Sequence, residues 1–494
     1  MPAGEQRWSI AGGICYRVFS GVRLEPIGQE KVMMNFDQGM IYLLAAYVTL
    51  GGAVAAWAQD EPSEPAATNA LPSPESAPPN DLTRADKALI GGTNAPGAGT
   101  DAATQAKAAF DRKFQEYKGI IREIERLQGE YQTVDEAERK RINAAMTGQV
   151  AHAQAIVNEM VEAATDAYRF APNADSRITE LLIAVARHYA IGRQIGPDEP
   201  ALGGHPEDIY YPIDGGDQYE RALPIIKLLI EGGAENKELF VWGFLSAFMT
   251  NDYDLAMQYL EKAKETGALE AVAAAAQKSD KEDPQAGLMK SVVHLISTCA
   301  TILDEYRELW SKESAIRAAE AEANDLPRVK LTTTKGEITL ELFENQAPQT
   351  VANFLTLVKQ GFYDGSPFHR VLPKFMAQAG AKDDQGQGGP GYTIRCECYR
   401  SDYRRHFRGT LSMAKKQERD SGSSQFFLTF VPTPHLNGQH TAFGRVIDGI
   451  EVLGDLERRS PQHQANPPEA DRILKAEVVR DRGHEYSFEK LPER

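Results

Sequence analysis

The side chains best suited to chemistry gather in one stretch, Phe368-His369-Arg370-Val371-Leu372-Pro373-Lys374-Phe375-Met376-Ala377-Gln378-Ala379-Gly380. In a strand, Phe368, Arg370 and Leu372 share one face, and His369, Val371 and Pro373 share the other. The parity resets after Pro373, where Phe375, Met376 and Gln378 follow closely. An arginine, two large apolar groups and an amide held this close together can grip something apolar while aiming donors at a carbonyl or amide.

Further blocks follow: Met413-Ala414, Ser424-Gln425-Phe426-Phe427, Leu436-Asn437-Gly438-Gln439-His440 and Phe443-Gly444. Together with the first stretch, and in this order, they resemble the signature of the cyclophilins, the peptidyl-prolyl cis-trans isomerases. The resemblance runs from about Arg328 to Asp481. It implies an eight-stranded antiparallel β-barrel capped by two helices, and rotation about the bond preceding proline. That bond turns slowly because amide resonance sets a barrier of about 18–20 kcal/mol. No covalent step is needed, since a protein that binds the twisted bond better than either planar form accelerates the rotation.

The resemblance also assigns roles. Arg370, permanently charged and rigidly forked, would donate to the prolyl nitrogen as its lone pair returns. Gln378 would hold the substrate carbonyl, and His440 would pack and hydrogen-bond beside the pocket; no proton moves, so His440 is not read as a base. Phe375, Met376, Phe427 and Leu436 would line the proline pocket, with Gln425, His435 and the backbone of Ala414 alongside. Phe426, of opposite parity to Phe427, would point into the core, and His369 would be structural. Two features depart from the family. His435 stands where many members carry the tryptophan that contacts cyclosporin, which implies weak sensitivity to that drug. Lys415-Lys416-Gln417-Glu418-Arg419-Asp420 is more charged than the usual stretch beside the groove.

Periodicity supplies the elements that must position these groups. Val329 and Leu331, then Ile338, Leu340 and Leu342, alternate about Thr334-Lys335-Gly336, as in a hairpin. Pro348 suits a helix start, Val351, Phe354, Leu355 and Val358 make its buried stripe, and Gly361 ends it. A second helix is expected near Ile450, Leu453 and Leu456, and a last strand through Leu474, Ala476 and Val478. The glycine-rich loop 383–391 lacks the strand-to-helix context of a phosphate cradle; by resemblance it borders the groove.

Upstream, residues 101–325 read as an all-α region. Phe110, Phe114, Tyr117, Ile120, Ile121, Ile124 and Leu127 recur at helical spacing, and a second long helix is expected from Glu136 to about Tyr168. Tyr219-Glu220-Arg221-Ala222-Leu223 realigns with Tyr253-Asp254-Leu255-Ala256-Met257 at an offset of 34 residues, the period of tetratricopeptide helix pairs. A tetratricopeptide-like surface for a protein partner and a plain helical domain are both consistent with this pattern.

The chain of 494 residues is thus multidomain: an N-terminal extension with signal peptide or membrane anchor (1–58), a Pro/Ala/Ser-rich disordered linker (59–100), the helical region (101–325), the cyclophilin-like barrel (326–484) and a tail (485–494). The uncharged run 40–56 before Ala56-Trp57-Ala58 reads as a secretory signal cleaved after Ala58; retained, it would tether the protein to a membrane. Either way the protein is expected to be exported, in the periplasm or cell envelope. A net charge of -16 argues against nucleic-acid binding. Four cysteines make no disulfide framework, and Cys396 and Cys398 are expected on one side of a strand. No metal or cofactor is expected, and the partners are proline-containing polypeptides. The expected function is isomerisation that assists folding of exported proteins; the alternative is a proline-binding chaperone or scaffold with little turnover.

Overall fold

The computed structural model describes residues 7–11, 14–18, 98–131, 133–194, 213–277, 286–462 and 467–493. The apolar run 40–56, the site after Ala58 and the linker as far as residue 97 lie outside these. Near the N-terminus, strands Arg7–Ala11 and Ile14–Val18 pair as an antiparallel hairpin.

The helical region opens with α1 (Ala98–Tyr131) and α2 (Glu136–Phe170). The α1 stripe from Phe110 to Leu127 is buried as its spacing predicts. Asp135 caps α2 by accepting from the Glu138 N–H at 3.0 Å. Helix α1 starts inside the stretch expected to be linker. Then come α3 (Ser176–Ile191), α4 (Tyr219–Glu231), α5 (Glu238–Met249), α6 (Tyr253–Glu265) and α7 (Ala268–Ala275). The offset of 34 residues reappears as two helices, α4 and α6, of 13 residues each that start at Tyr219 and Tyr253. Helix α8 (Ala286–Ala323) has 38 residues, about 57 Å of axis, and leads into the barrel.

The barrel strands are β1 (Arg328–Thr333), β2 (Gly336–Leu342), β3 (Arg370–Leu372), β4 (Met376–Ala379), β5 (Thr410–Met413), β6 (Phe426–Thr429), β7 (Ala442–Asp448) and β8 (Ile473–Arg480). They form one antiparallel sheet in the order β8-β1-β2-β7-β5-β6-β4-β3. The sheet curls until its ends meet. Pro367, just before β3, bridges to Arg472, just before β8, and the Phe368 N–H donates to the Asp471 carbonyl at 2.7 Å. Helix α9 (Pro348–Lys359) begins with its proline at the first turn and buries Val351, Phe354, Leu355 and Val358. The expected second helix is the short α10 (Val452–Asp455). The Arg458 guanidinium donates to the Leu453, Gly454 and Leu456 carbonyls, taking acceptors that a further helical turn would use.

Three local expectations fail. Strand β3 starts only at Arg370, so Phe368 joins Val371 in the main core instead of sharing a face with Leu372. Leu474 is 54% exposed because the β8–β1 register shifts between Ile473 and Lys475, which resets the alternation. Cys396 and Cys398 lie outside any strand, with sulfurs 2.9 Å apart.

Helices and barrel share a buried interface. Phe407 packs edge-on against Tyr306 and Trp310 of α8, at 5.7 and 5.2 Å between ring centroids. Arg404 is buried between Glu313 and Glu320 of α8, Arg445 links Glu320 to Glu341 of β2, and Arg328 closes the series at Glu341. At the start of α4, Glu220 takes two hydrogen bonds from Arg408, at 2.8 and 2.7 Å.

Candidate active site

Strand register places the expected residues on one outer face of the sheet. Arg370 of β3 lies opposite Gln378 of β4, which lies opposite Phe427 of β6, which lies opposite Ser412 of β5. One row thus carries a guanidinium, an amide and an aromatic ring. Two residues along, Leu372 faces Met376. Leu372, Met376 and Phe427 form an apolar cluster separate from the main core, with Phe375, Ala414 and Leu436 packed on it. Phe426 points the other way and is fully buried in the main core, as its parity predicts.

The rim is built from loops tied to this floor. Gln378 Nε2 donates to Gln425 Oε1 at 2.9 Å, and Gln425 Nε2 donates to the Gly386 carbonyl at 2.9 Å, so an amide relay fixes the glycine-rich loop beside the row. The Ala414 N–H donates to the Gln425 carbonyl at 3.0 Å; the backbone group Ala414 can offer a ligand is therefore its carbonyl. Gly380, with φ +91°, lets β4 end against the neighbouring segment: a Cβ there would lie 2.4 Å from the Ser424 carbonyl oxygen. His440 stands edge-on to Phe427, 5.5 Å between ring centroids, and its Nδ1 lies 3.0 Å from the Met413 carbonyl. His435 and Leu436 sit on a 3₁₀ turn, Pro434–Leu436. The exposed His435 ring lies 5.8 Å from the Phe375 ring.

The site has supports that no sequence motif announced. His406, 0% exposed, stacks on Phe427 at 6.1 Å with 11° between the rings. Its nitrogens meet Asn437 Oδ1 at 3.1 Å and Ser412 Oγ at 2.9 Å. Desolvation holds its pKa down, at about 3, so the ring is neutral. It arrives from an irregular segment whose local pattern carries no periodic signal. His369 is structural: it is buried against Gly386, and burial lowers its pKa to about 4. Leu372 belongs to the pocket floor as well. Within the charged stretch, Arg419 lies 3.6 Å over the Tyr399 ring and Asp420 accepts from the Cys396 N–H at 3.0 Å. Both thus serve the neighbouring loop, and Lys415 to Glu418 are left as the charged part.

An apolar floor with a guanidinium and an amide in the same row has the chemistry to hold an apolar residue flanked by a peptide bond. Residues 328–478 match the family model described as cyclophilin type peptidyl-prolyl cis-trans isomerase/CLD. A peptidyl-prolyl cis-trans isomerase of Synechococcus elongatus is 46% identical over 153 residues, 31% of this chain and 95% of its own length. Peptidyl-prolyl cis-trans isomerase B of Bacillus subtilis is 51% identical over 120 residues, 24% of this chain and 82% of its own length. A crystal structure of a Cryptosporidium parvum cyclophilin type isomerase is 32% identical, covering 32% of this chain and 99% of that chain, with a TM-score of 0.29. The chain belongs to the cyclophilin-type peptidyl-prolyl cis-trans isomerases, and rotation about prolyl bonds is its activity.

Proposed function

We propose that this isomerase acts on proline-containing segments of exported polypeptides and assists their folding. The observation that carries the site assignment is the row Arg370–Gln378–Phe427 beside the cluster of Leu372, Met376 and Phe427. The substrate proline ring enters that cluster, where Phe375 and Leu436 complete the wall. Gln378, held by Gln425, and the Ala414 carbonyl align the chain on either side. As the prolyl bond twists, its nitrogen regains a lone pair, and the Arg370 guanidinium donates to it. That hydrogen bond exists only at the twist, so it speeds rotation instead of merely tightening binding. His440 braces Phe427 from the side and need not exchange a proton.

Export is supported by the uncharged run 40–56 and the Ala56-Trp57-Ala58 site. Cleavage there gives a mature protein whose N-terminal sequencing starts at Gln59; a start upstream of Met40 in membrane-associated protein indicates a retained anchor. The recurrence of α4 as α6 at an offset of 34 residues supports a tetratricopeptide-like reading, in which surface not occupied by the barrel receives a protein partner.

The test is a protease-coupled isomerase assay of the full chain on a proline-containing tetrapeptide. Arg370→Ala is expected to lower kcat/KM by about a hundredfold, the scale of losing one donor aimed at the transition state. A second reading, binding with little turnover, is favoured by His435 and the charged run Lys415 to Glu418 at the rim. It leads if the folded wild-type chain binds the peptide without accelerating its rotation.

A further inference from the structure

The turn joining β3 to β4 carries Phe375 between Leu372 and Met376, and the helical region holds this turn. Asp217, immediately before α4, is 0% exposed. Its Oδ2 accepts the Lys374 backbone N–H at 3.0 Å and lies 3.2 Å from Arg458 Nη2. Its Oδ1 accepts from Tyr219 Oη at 3.2 Å and lies 3.9 Å from Lys374 Nζ. The same ammonium donates to the Ile191 carbonyl at the end of α3, at 3.0 Å. Asp217 and Lys374 both adopt left-handed backbone conformations, with φ +60° and +58°. Such conformations persist in non-glycine residues only where the surroundings impose them, and they concentrate at functional sites. Burial alone would raise the Asp217 carboxyl, but Lys374 and Arg458 hold it below the usual carboxylate range.

We propose that Asp217 is a positioning residue of the isomerase site: a carboxylate lent by the helical region that locks the β3–β4 turn, and with it Phe375 and Met376, in the binding-competent shape. The proposal rests on the isomerase reading of this groove. It makes the helical region part of the active site's frame rather than an appendage. The turn is short, Lys374 is strained, and its N–H and ammonium are both satisfied from outside the barrel. Without Asp217 the Lys374 N–H loses its acceptor; the Ile191 carbonyl and the Phe430 N–H bond to the Phe375 carbonyl at 2.9 Å remain, but the turn is held less firmly against relaxation of Lys374 toward an ordinary φ, which would shift the neighbouring Phe375.

The test uses the full chain, with Arg370→Ala measured first so that failure of the isomerase reading is recognised separately. Asp217→Asn keeps the size and the left-handed tolerance but removes the charge that faces Lys374 and Arg458. It is expected to lower kcat/KM about tenfold, in keeping with the cost of small misplacements. Glu313→Gln, which weakens the equally interfacial Arg404 contact on α8, away from the turn, is expected to stay within about twofold of wild type while lowering the melting temperature comparably. Lys374→Gly, which accepts a positive φ without help and removes the ammonium, is expected to restore Asp217→Asn to within about threefold of wild type. Unchanged kcat/KM in Asp217→Asn, an equal loss in Glu313→Gln, or no rescue by Lys374→Gly each overturns the proposal. If Asp217→Asn does not fold, Asp217→Glu carries the test, since it keeps a charge for Arg458 while displacing the carboxylate from the Lys374 N–H by one methylene. A loss of about threefold or more then supports the proposal, and none overturns it.

Discussion

In the proposed reading Arg370 and Phe427 divide the work: one acts at the twist, the other mostly grips. Phe427→Ala is therefore expected to raise KM more than it lowers kcat, measured by exchange spectroscopy on a Xaa-Pro peptide. Two buried histidines contribute to the acid sensitivity of the fold. His406 and His369 have folded pKa values of about 3 and about 4, below the 6.5 of an open imidazole. Between those values and 6.5 the unfolded chain binds more protons, so stability is full above 6.5 and falls as the pH drops toward the folded values. A melting temperature lower at pH 5 than at pH 7 is expected, with a shallower fall in His406→Asn; a flat profile in wild type contradicts it. Arg370, Gln378, Phe375 and Met376 were legible because they lie in one short stretch whose chemistry is coherent. His406 was not, because burial against Phe427 is a fact of packing between distant segments.

At the scale of elements, the site is a strand pair and a turn facing one another. The 3₁₀ turn brings His435 beside Phe375, where a larger indole would extend the wall. Wild type is expected to bind cyclosporin weakly, and His435→Trp to bind it at least about tenfold tighter by calorimetry, as added apolar contact area implies. Tight binding by the wild type sinks this. The hairpin β1–β2, helix α9 and the faces of Phe426 and Phe427 follow from alternation and caps. Alternation misled at Phe368 and Leu474, because a bridge and a bulge at the barrel's seam reset the parity there.

At the scale of the molecule, the barrel is not finished without the helices. Removing them exposes Phe407 and leaves Arg404 and Arg408 without the carboxylates that bury with them. The fragment 326–494 is expected to melt at a lower temperature than the full chain, whose helical region and barrel should unfold in one transition by calorimetry. An equal melting temperature for the fragment counts against the interface. None of this interface was legible in the sequence. Glu220, Glu313 and Glu320 look like ordinary solvated helix positions and Asp217 like an ordinary loop residue, and their cationic partners lie far downstream with no periodic link to them. The alternation of charge from Glu313 through Arg404, Glu320, Arg445 and Glu341 to Arg328 exists only in space.

That arrangement also orders events in time. The acidic members on the helices leave the ribosome first, and the arginines that neutralise them come later. Asp217 precedes Arg458 by 241 residues, roughly ten to fifty seconds of synthesis. For that interval the carboxylates face water, and the helical region has to wait for its contact with the barrel. Its last packing step is thus timed by completion of the enzyme at the far end of the chain.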